Sequence, residues 1–461
     1  MHVYSLGPMM LIAYLLSAGV ASLHALLTKP DPRSALSWIA ICSFVPYGGV
    51  VLYGLLGINR VRRPQLERRP AIAPPGATLE FPAPLAAQAR LGDALTRRRL
   101  ESGNEIETLH DGEEAFPRML EAIAGAQQSV WLATYIFQTD PVGRRFIETL
   151  AIAARRGVHV RVLVDGIGEW YDWPHVVPLL RRAGVRTERF LPPRLLPPNL
   201  SLNCRNHRKI LVVDGVVAYT GGMNLGGREV GGSTGLRMSD IHFRLRGPVV
   251  AQLGDVFAED WLFATGEKLP ETPVPAQHGE AICRVVTGGP DGDVDKLLLF
   301  LVGALASAER QVQIMTPYFI PPLELVAALQ AAALRGVEVS LVLPRRSNLR
   351  YIDWATLHWI PALVGRGVRV HLQEPPFSHA KLFVVDGCYA HIGSVNVDTR
   401  SLRLNFEIAV EVYDGDFCEE LSAFIARQAS SVPPLTVRDN EAVTLAERIR
   451  NALCWLVSPY L

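Results

Sequence analysis

Residues 206–224 read NHRKILVVDGVVAYTGGMN, and residues 378–396 read SHAKLFVVDGCYAHIGSVN. The two stretches carry the same residue types at the same spacings. His207, Lys209, Asp214, Gly221, Gly222 and Asn224 in the first answer to His379, Lys381, Asp386, Gly393, Ser394 and Asn396 in the second. In an extended strand, residues two apart share a face, so His207 projects with Lys209 and His379 with Lys381. A histidine beside a lysine on one face suits a phosphate. Asp214 and Asp386 follow the apolar runs ILVV and LFVV and precede a glycine, which puts them at strand-to-turn junctions. Gly221 and Gly222 let backbone approach a ligand oxygen, and Asn224 and Asn396 offer amide donors.

The duplication extends outward from the motifs. AGAQQSVWLATYIF (124–137) leads to AARRGVHVRVLVD (153–165), and ASAERQVQIMTPYF (306–319) leads to AALRGVEVSLVLP (332–344). In each copy a helix-like apolar pattern precedes Gly157 or Gly336, and an alternating β-branched run follows. RRAGVRTERF (181–190) and VGRGVRVHLQ (364–373) repeat the helix, glycine, strand step. The expectation is an α/β fold of two pseudo-symmetric halves, each a mixed sheet flanked by helices, over 105–270 and 271–430.

The chain has 461 residues, 46 basic and 45 acidic, for a formal charge of +1. That balance leaves no global field for holding nucleic acid, so no nucleic-acid partner is expected and any anionic ligand must be met locally. Cys42, Cys204, Cys283, Cys388, Cys418 and Cys454 lie far apart without a C-x-x-C pair, which argues against a zinc knuckle or a disulfide scaffold.

At the N-terminus, MMLIAYLLSAGVASLHALL (9–27) contains no Lys, Arg, Asp or Glu and matches the length a helix needs to cross hydrocarbon. A signal peptide is the rival reading, but MHVYSLGP lacks its basic start. A second uncharged stretch, 35–58, follows after a short polar loop, so residues 1–69 read as a two-span anchor; a buried helical pair is the alternative. Arg60, Arg62, Arg63, Arg68 and Arg69 form a basic exit that places the bulk of the chain on the cytoplasmic side, against an anionic bilayer. Residues 70–104, rich in Pro and Ala, read as a linker. Residues 431–461 read as an amphipathic tail in which Ile449, Leu453 and Leu456 recur at about one helical turn; it either lies on the bilayer or packs as a terminal helix.

With both motifs in view, the chain resembles the phospholipase D superfamily, whose two HKD motifs meet at one active site across an internal pseudo-twofold. It is most similar to the bacterial cardiolipin synthases. The shared features are the hydrophobic N-terminus with its basic exit, NHRK in the first motif, GGPD near Gly289, TPYFIP at 316–321, RSLRLNFE ending at Glu407, and the terminal VSPYL.

The resemblance implies two phospholipase D-like halves and a covalent exchange without metal or other cofactor. One histidine attacks a phosphodiester and becomes a phosphohistidine; the other protonates the departing alcohol and deprotonates the incoming one. By that analogy His207 is the nucleophile and His379 the acid and base. Lys209, Lys381, Asn224 and Asn396 neutralise the phosphoryl oxygens. Carboxylates that hold the rings fall at Asp240 and Glu407, and the motif aspartates Asp214 and Asp386 read as loop supports. The implied reaction joins two phosphatidylglycerols into cardiolipin and glycerol in a bacterial inner membrane. Hydrolysis to phosphatidic acid is the alternative, and a nuclease or an inactive scaffold fits less well. The sequence does not give the oligomeric state. It departs from the family at Gly393-Ser394 and at LRMSD (236–240), and Tyr318 and Phe319 read either as pocket lining or as core.

Overall fold

Alternation of β-branched runs with amphipathic helices produces, in the computed structural model, one sheet in which the two sequence copies lie end to end. The structure describes residues 6–29, 31–58, 83–96, 98–193, 204–231, 237–290 and 294–456. Contacts divide the chain into an N-terminal helical unit, within 1–62, and a larger α/β unit that contains both motifs.

In the α/β unit the first copy supplies β1 (Glu101–His110), β2 (Ser129–Thr134), β3 (His159–Asp165), β4 (Arg186–Phe190), β5 (Ile210–Val213), β6 (Val217–Gly221) and β7 (Ile241–Arg246). The second supplies β8 (Ala281–Gly288), β9 (Gln311–Met315), β10 (Glu338–Pro344), β11 (Arg369–Gln373), β12 (Leu382–Val385), β13 (Tyr389–Gly393) and β14 (Glu407–Tyr413). From the centre outward the first half runs β1-β7-β6-β5-β2-β3-β4 and the second β8-β14-β13-β12-β9-β10-β11, so every strand has a counterpart. β1 and β8 pair antiparallel through Glu101↔Cys283 and Asn104↔Ala281, which fuses the halves into fourteen strands. The outer three strands of each half are parallel and linked by helices. The helix Pro141–Arg155 starts at Asp140, which accepts from Gly143 N–H at 2.9 Å, and the turn into β3 uses Gly157 at φ +93°. Gly336, at φ +92°, makes the same turn into β10.

Separate apolar cores lie under the halves, around Phe116, Phe146, Leu150 and Val162 in the first and Phe300, Leu329, Leu341 and Phe383 in the second. Ala83–Leu95, within the stretch expected as linker, is a helix whose Leu85, Gln88 and Ala89 are buried against Lys296–Ser307. The linker reading therefore does not extend over these residues; 59–82 lie outside the described residues.

In the N-terminal unit α1 (Leu6–Thr28) is the one helix among the described residues long and apolar enough to cross a membrane, with mean hydropathy 1.9. The expected second span is instead broken. α2 (Pro32–Phe44) stops at Val45, held extended at φ −112°, ψ 91° by the following Pro46, and Tyr47 turns at φ +54°. A short helix, Gly48–Leu52, then folds back on α2, and a Cβ on Gly49 would lie 2.1 Å from the Ile41 carbonyl oxygen. α1 and α2 pack through Ala21, Ala25, Trp38, Cys42 and Tyr53, and His24 Nδ1 lies 2.7 Å from the Tyr53 hydroxyl. The arginines of the basic exit fall outside the described residues.

Candidate active site

Each motif histidine sits just before a strand of its own half and is pinned by backbone to the other half. His207 N–H donates to Phe406 O at 2.9 Å, and Phe406 N–H donates to Arg205 O at 2.8 Å. In the mirror position Phe377–Ser378 pairs in parallel with Met238–Ser239, and His379 N–H donates to Ser239 O at 2.7 Å. This register sets each imidazole beside the carboxylate that follows the opposite strap. His207 Nδ1 lies 3.0 Å from the Glu407 carboxylate, and His379 Nδ1 lies 2.8 Å from Asp240 Oδ2. All four side chains are buried.

Burial lowers the pKa of His207 against the opposing pull of Glu407. His379 is driven well below the usual value, first by burial and then by Lys381, Lys209 and His207. Both rings are therefore neutral in the free protein, with Nδ1–H donated to the carboxylate and Nε2 carrying the free lone pair. Lys381 Nζ is 3.0 Å from His379 Nδ1, but that nitrogen already holds a proton, so the ammonium donates to the His379 carbonyl at 2.5 Å. Lys209 Nζ donates to the His207 carbonyl at 2.7 Å. Burial pushes Lys209 down to about 7 and lowers Lys381 as well. Burial thus works against the charged form of both lysines, and an anionic ligand beside them would favour it.

The remaining expected residues divide. Asn396 is buried with Oδ1 unpartnered, while Asn224 Oδ1 accepts from Ile136 N–H at 3.2 Å. Asp214 and Asp386 stay away from the cluster, at the far ends of β5 and β12. Asp214 accepts from Gln127, Gln128 and Ser129 N–H at 2.8, 2.7 and 2.8 Å, and Asp386 from Glu309, Arg310 and Gln311 at 2.9, 2.8 and 2.7 Å. They cap loops. The departure at Ser394 has a local cause: its hydroxyl donates to Glu407 Oε2 at 2.5 Å, whereas a Cβ on Gly222 would lie 2.4 Å from Asp240 Oδ2. Tyr318 reaches the site, its ring 6.1 Å from that of His379, while Phe319 belongs to the core.

Four contributors escaped the sequence. Tyr135 stands 5.4 Å from the His207 ring with Lys209 Nζ 5.7 Å from its own; the match of TYIF to TPYF was the available signal. Arg208, between His207 and Lys209, donates to Asp260 Oδ1 at 2.7 Å, to Glu407 O at 3.0 Å and to Gly288 O at 3.1 Å, and so ties the two halves together. Arg205 pairs with Asp165 at 3.0 Å. Glu229, buried, accepts from Asn224 N–H at 3.2 Å, and its pKa is raised by burial and by Asp240. At the same distance from the second histidine stands Ser401, so comparing the copies could not reveal it.

A family model described as cardiolipin synthase, phospholipase D-like domain, matches residues 119–261 and 301–428. The chain belongs to this family. Cardiolipin synthase A of Pseudomonas aeruginosa is 34% identical, over 96% of this chain and 94% of that protein. Cardiolipin synthase of Geobacillus thermodenitrificans is 31% identical, over 94% of this chain and 90% of its own. Among solved structures, the phosphatidylserine synthase of Haemophilus influenzae aligns with TM-score 0.62 and 14% identity, over 81% of this chain and all of that one, which shows a shared fold.

Proposed function

We propose that the protein is a cardiolipin synthase that transfers a phosphatidyl group between two phosphatidylglycerols. The observation that carries the reading is the pair of buried imidazoles, each held at Nδ1 by a carboxylate from the opposite half and each accompanied by a lysine. As the anionic phosphodiester enters, its charge favours the imidazolium and His379 takes up a proton at Nε2 from solvent. His207 Nε2 then attacks the phosphorus of the first lipid, the phosphorus–oxygen bond to glycerol breaks, and His379 gives that proton to the departing oxygen. His379 then takes the proton from a hydroxyl of the second phosphatidylglycerol, whose oxygen displaces His207 from phosphorus and forms cardiolipin. Lys209, Lys381 and Asn396 meet the charge on the phosphoryl oxygens. Asn224, whose amide oxygen is occupied by Ile136, has its amide nitrogen for the same task. α1 serves as anchor in a bacterial inner membrane, with the catalytic unit on the cytoplasmic side.

Labelled phosphatidylglycerol in detergent micelles tests the proposal. Cardiolipin and free glycerol in equal amounts are expected; phosphatidic acid as the main lipid product would mean that water is the acceptor and the protein a hydrolase.

A further inference from the structure

The exposed aromatic side chains of the α/β unit gather beside the active site. Among its described residues, the large aromatics open to solvent are Trp170, Tyr171, Trp173 and Tyr351, exposed by 61, 56, 79 and 38%. The first three share the turn after β3, where the Tyr171 ring lies 6.0 Å from Tyr135, the neighbour of His207. The turn is held rigidly from beneath. Asp165 accepts from Ile167 and Gly168 N–H, both at 2.9 Å, Glu169 accepts from Val177 N–H at 3.1 Å, and Asp172 accepts from Thr139 N–H at 2.6 Å. A turn fixed by three buried or half-buried carboxylates displays its indoles; it does not expose them by fraying.

The His379 side carries a matching surface. Tyr318 donates to Asn348 Oδ1 at 2.6 Å, and the exposed Arg346 and Arg350 flank that asparagine. Tyr318 and Leu349 also pack on the cluster of Ile320, Ile352 and Ala355, which Cys454 and Trp455 of the helix Leu445–Leu456 complete. One face of this helix is committed to the fold: Asn451 is buried, Trp455 stacks on His358 at 4.4 Å, and Arg450 lies over Trp354 at 4.8 Å. The other face presents Leu445, Ile449, Leu453 and Leu456, exposed by 71, 53, 60 and 66%, in an unbroken stripe. The tail thus packs as a terminal helix on one face and leaves an apolar stripe exposed on the other.

We propose that the Trp170–Trp173 turn and the Leu445–Leu456 stripe form a rim that docks the active site onto an anionic phospholipid bilayer, which rests on the phosphatidyl-transfer reading. Indole and phenol rings favour the boundary between headgroups and acyl chains, and an amphipathic helix lies there with its apolar face about 5–10 Å deep. Arg346 and Arg350 would then stand among anionic headgroups. That depth is the level of the phosphodiester, so the scissile group reaches the histidines while the acyl chains stay in the bilayer. A protein seated on the same rim would close the entrance the lipid needs, which excludes a protein as its occupant.

The test uses the full chain reconstituted in phosphatidylglycerol vesicles, with the double variants Trp170→Ser/Trp173→Ser and Ile449→Ser/Leu453→Ser. Each should lose about tenfold or more of its turnover on vesicle lipid, yet stay within about twofold on monomeric short-chain phosphatidylglycerol and keep the wild-type melting temperature. Independently of activity, phosphatidylglycerol brominated high in the acyl chain should quench wild-type tryptophan fluorescence more than that of the Trp170→Ser/Trp173→Ser form. Equal loss on both substrates, no loss on vesicles, loss in only one variant, or identical quenching would each overturn the rim. Wild-type protein that releases no glycerol from either substrate would sink the transfer reading instead, while the quenching result would still decide the rim.

Discussion

The two motifs share a backbone and differ in what surrounds their carboxylates. Glu407, behind His207, accepts from the hydroxyls of Ser394 and Ser401 at 2.5 and 2.8 Å and from the Asn405 amide at 3.4 Å. Burial alone would raise its pKa, but His207, Lys209 and these donors outweigh burial and hold it below the usual value. Asp240, behind His379, has one methylene fewer, lies against Gly222, and accepts from Ile241 N–H at 2.7 Å. Burial raises its pKa, and Glu229 is the carboxyl that faces it electrostatically. A duplicated fold has thus become electrostatically unequal. His207 is backed by the carboxylate that is held ionised, which supports its proposed role as the nucleophile. His379 belongs to a group whose carboxyls keep protons more readily, which suits a proton carrier.

Breaking the two carboxylates separately should give the largest and most unequal effects. Glu407→Gln removes the charge behind the nucleophile and should lower kcat by about 1,000 to 10,000-fold, as expected when a ring loses the group that fixes its tautomer. Asp240→Asn should cost about 100-fold, because Asp240 already holds its proton more readily. Steady-state kinetics of both variants check the order; equal losses would erase the asymmetry.

The residue between histidine and lysine is Arg208 in the first motif and Ala380 in the second. Arg208 and Asp260 are fully buried, so Arg208→Ala takes the guanidinium away from a buried carboxylate that keeps only weaker neutral donors such as the Asn206 amide, and severs the tie to the second half. A loss of about 3–5 kcal/mol in stability is expected by denaturant unfolding. Ala380→Gly should cost about 1 kcal/mol or less.

The lysines sharpen the comparison through pH. Burial pushes Lys209 down to about 7, so kcat/KM, which reports the free enzyme, should fall as pH rises through 7. In the complex the bound phosphate raises that pKa, so kcat should hold to higher pH. A kcat/KM profile flat from pH 7 to 9 would contradict this. On the proposed reading the lysines supply the positive charge, so activity should also survive EDTA, measured by glycerol release; loss reversed by one divalent ion would remove them from that role.

The smallest effect is expected at Glu229. Its raised pKa keeps the carboxyl protonated at neutral pH, so Glu229→Gln should change turnover by less than about fivefold at pH 7 and diverge from wild type only at higher pH.

What the sequence made legible was whatever repeats. His207 with Lys209 and His379 with Lys381 could be placed because strand geometry fixes which residues share a face. The two halves followed from matched helix, glycine, strand steps such as those at Gly157 and Gly336. Asp240 and Glu407 came from family resemblance, since each acts across the pseudo-twofold and local spacing carries no trace of the partner. Arg208 and Glu229 stayed hidden for a related reason: one bridges the halves and the other has a serine as its counterpart, so neither repeats. In the N-terminal unit hydropathy registered the apolar residues of 35–58 but not the break that Pro46 and Tyr47 put between two short helices.

Trapping the covalent intermediate tests the unequal roles most directly. Protein exposed briefly to phosphatidylglycerol labelled on phosphorus, then denatured and digested, should yield an acid-labile label on the peptide containing His207. His379→Ala should form that label slowly and retain it, and His207→Ala should form none. Label on the His379 peptide, or its persistence in His207→Ala, would contradict the assignment.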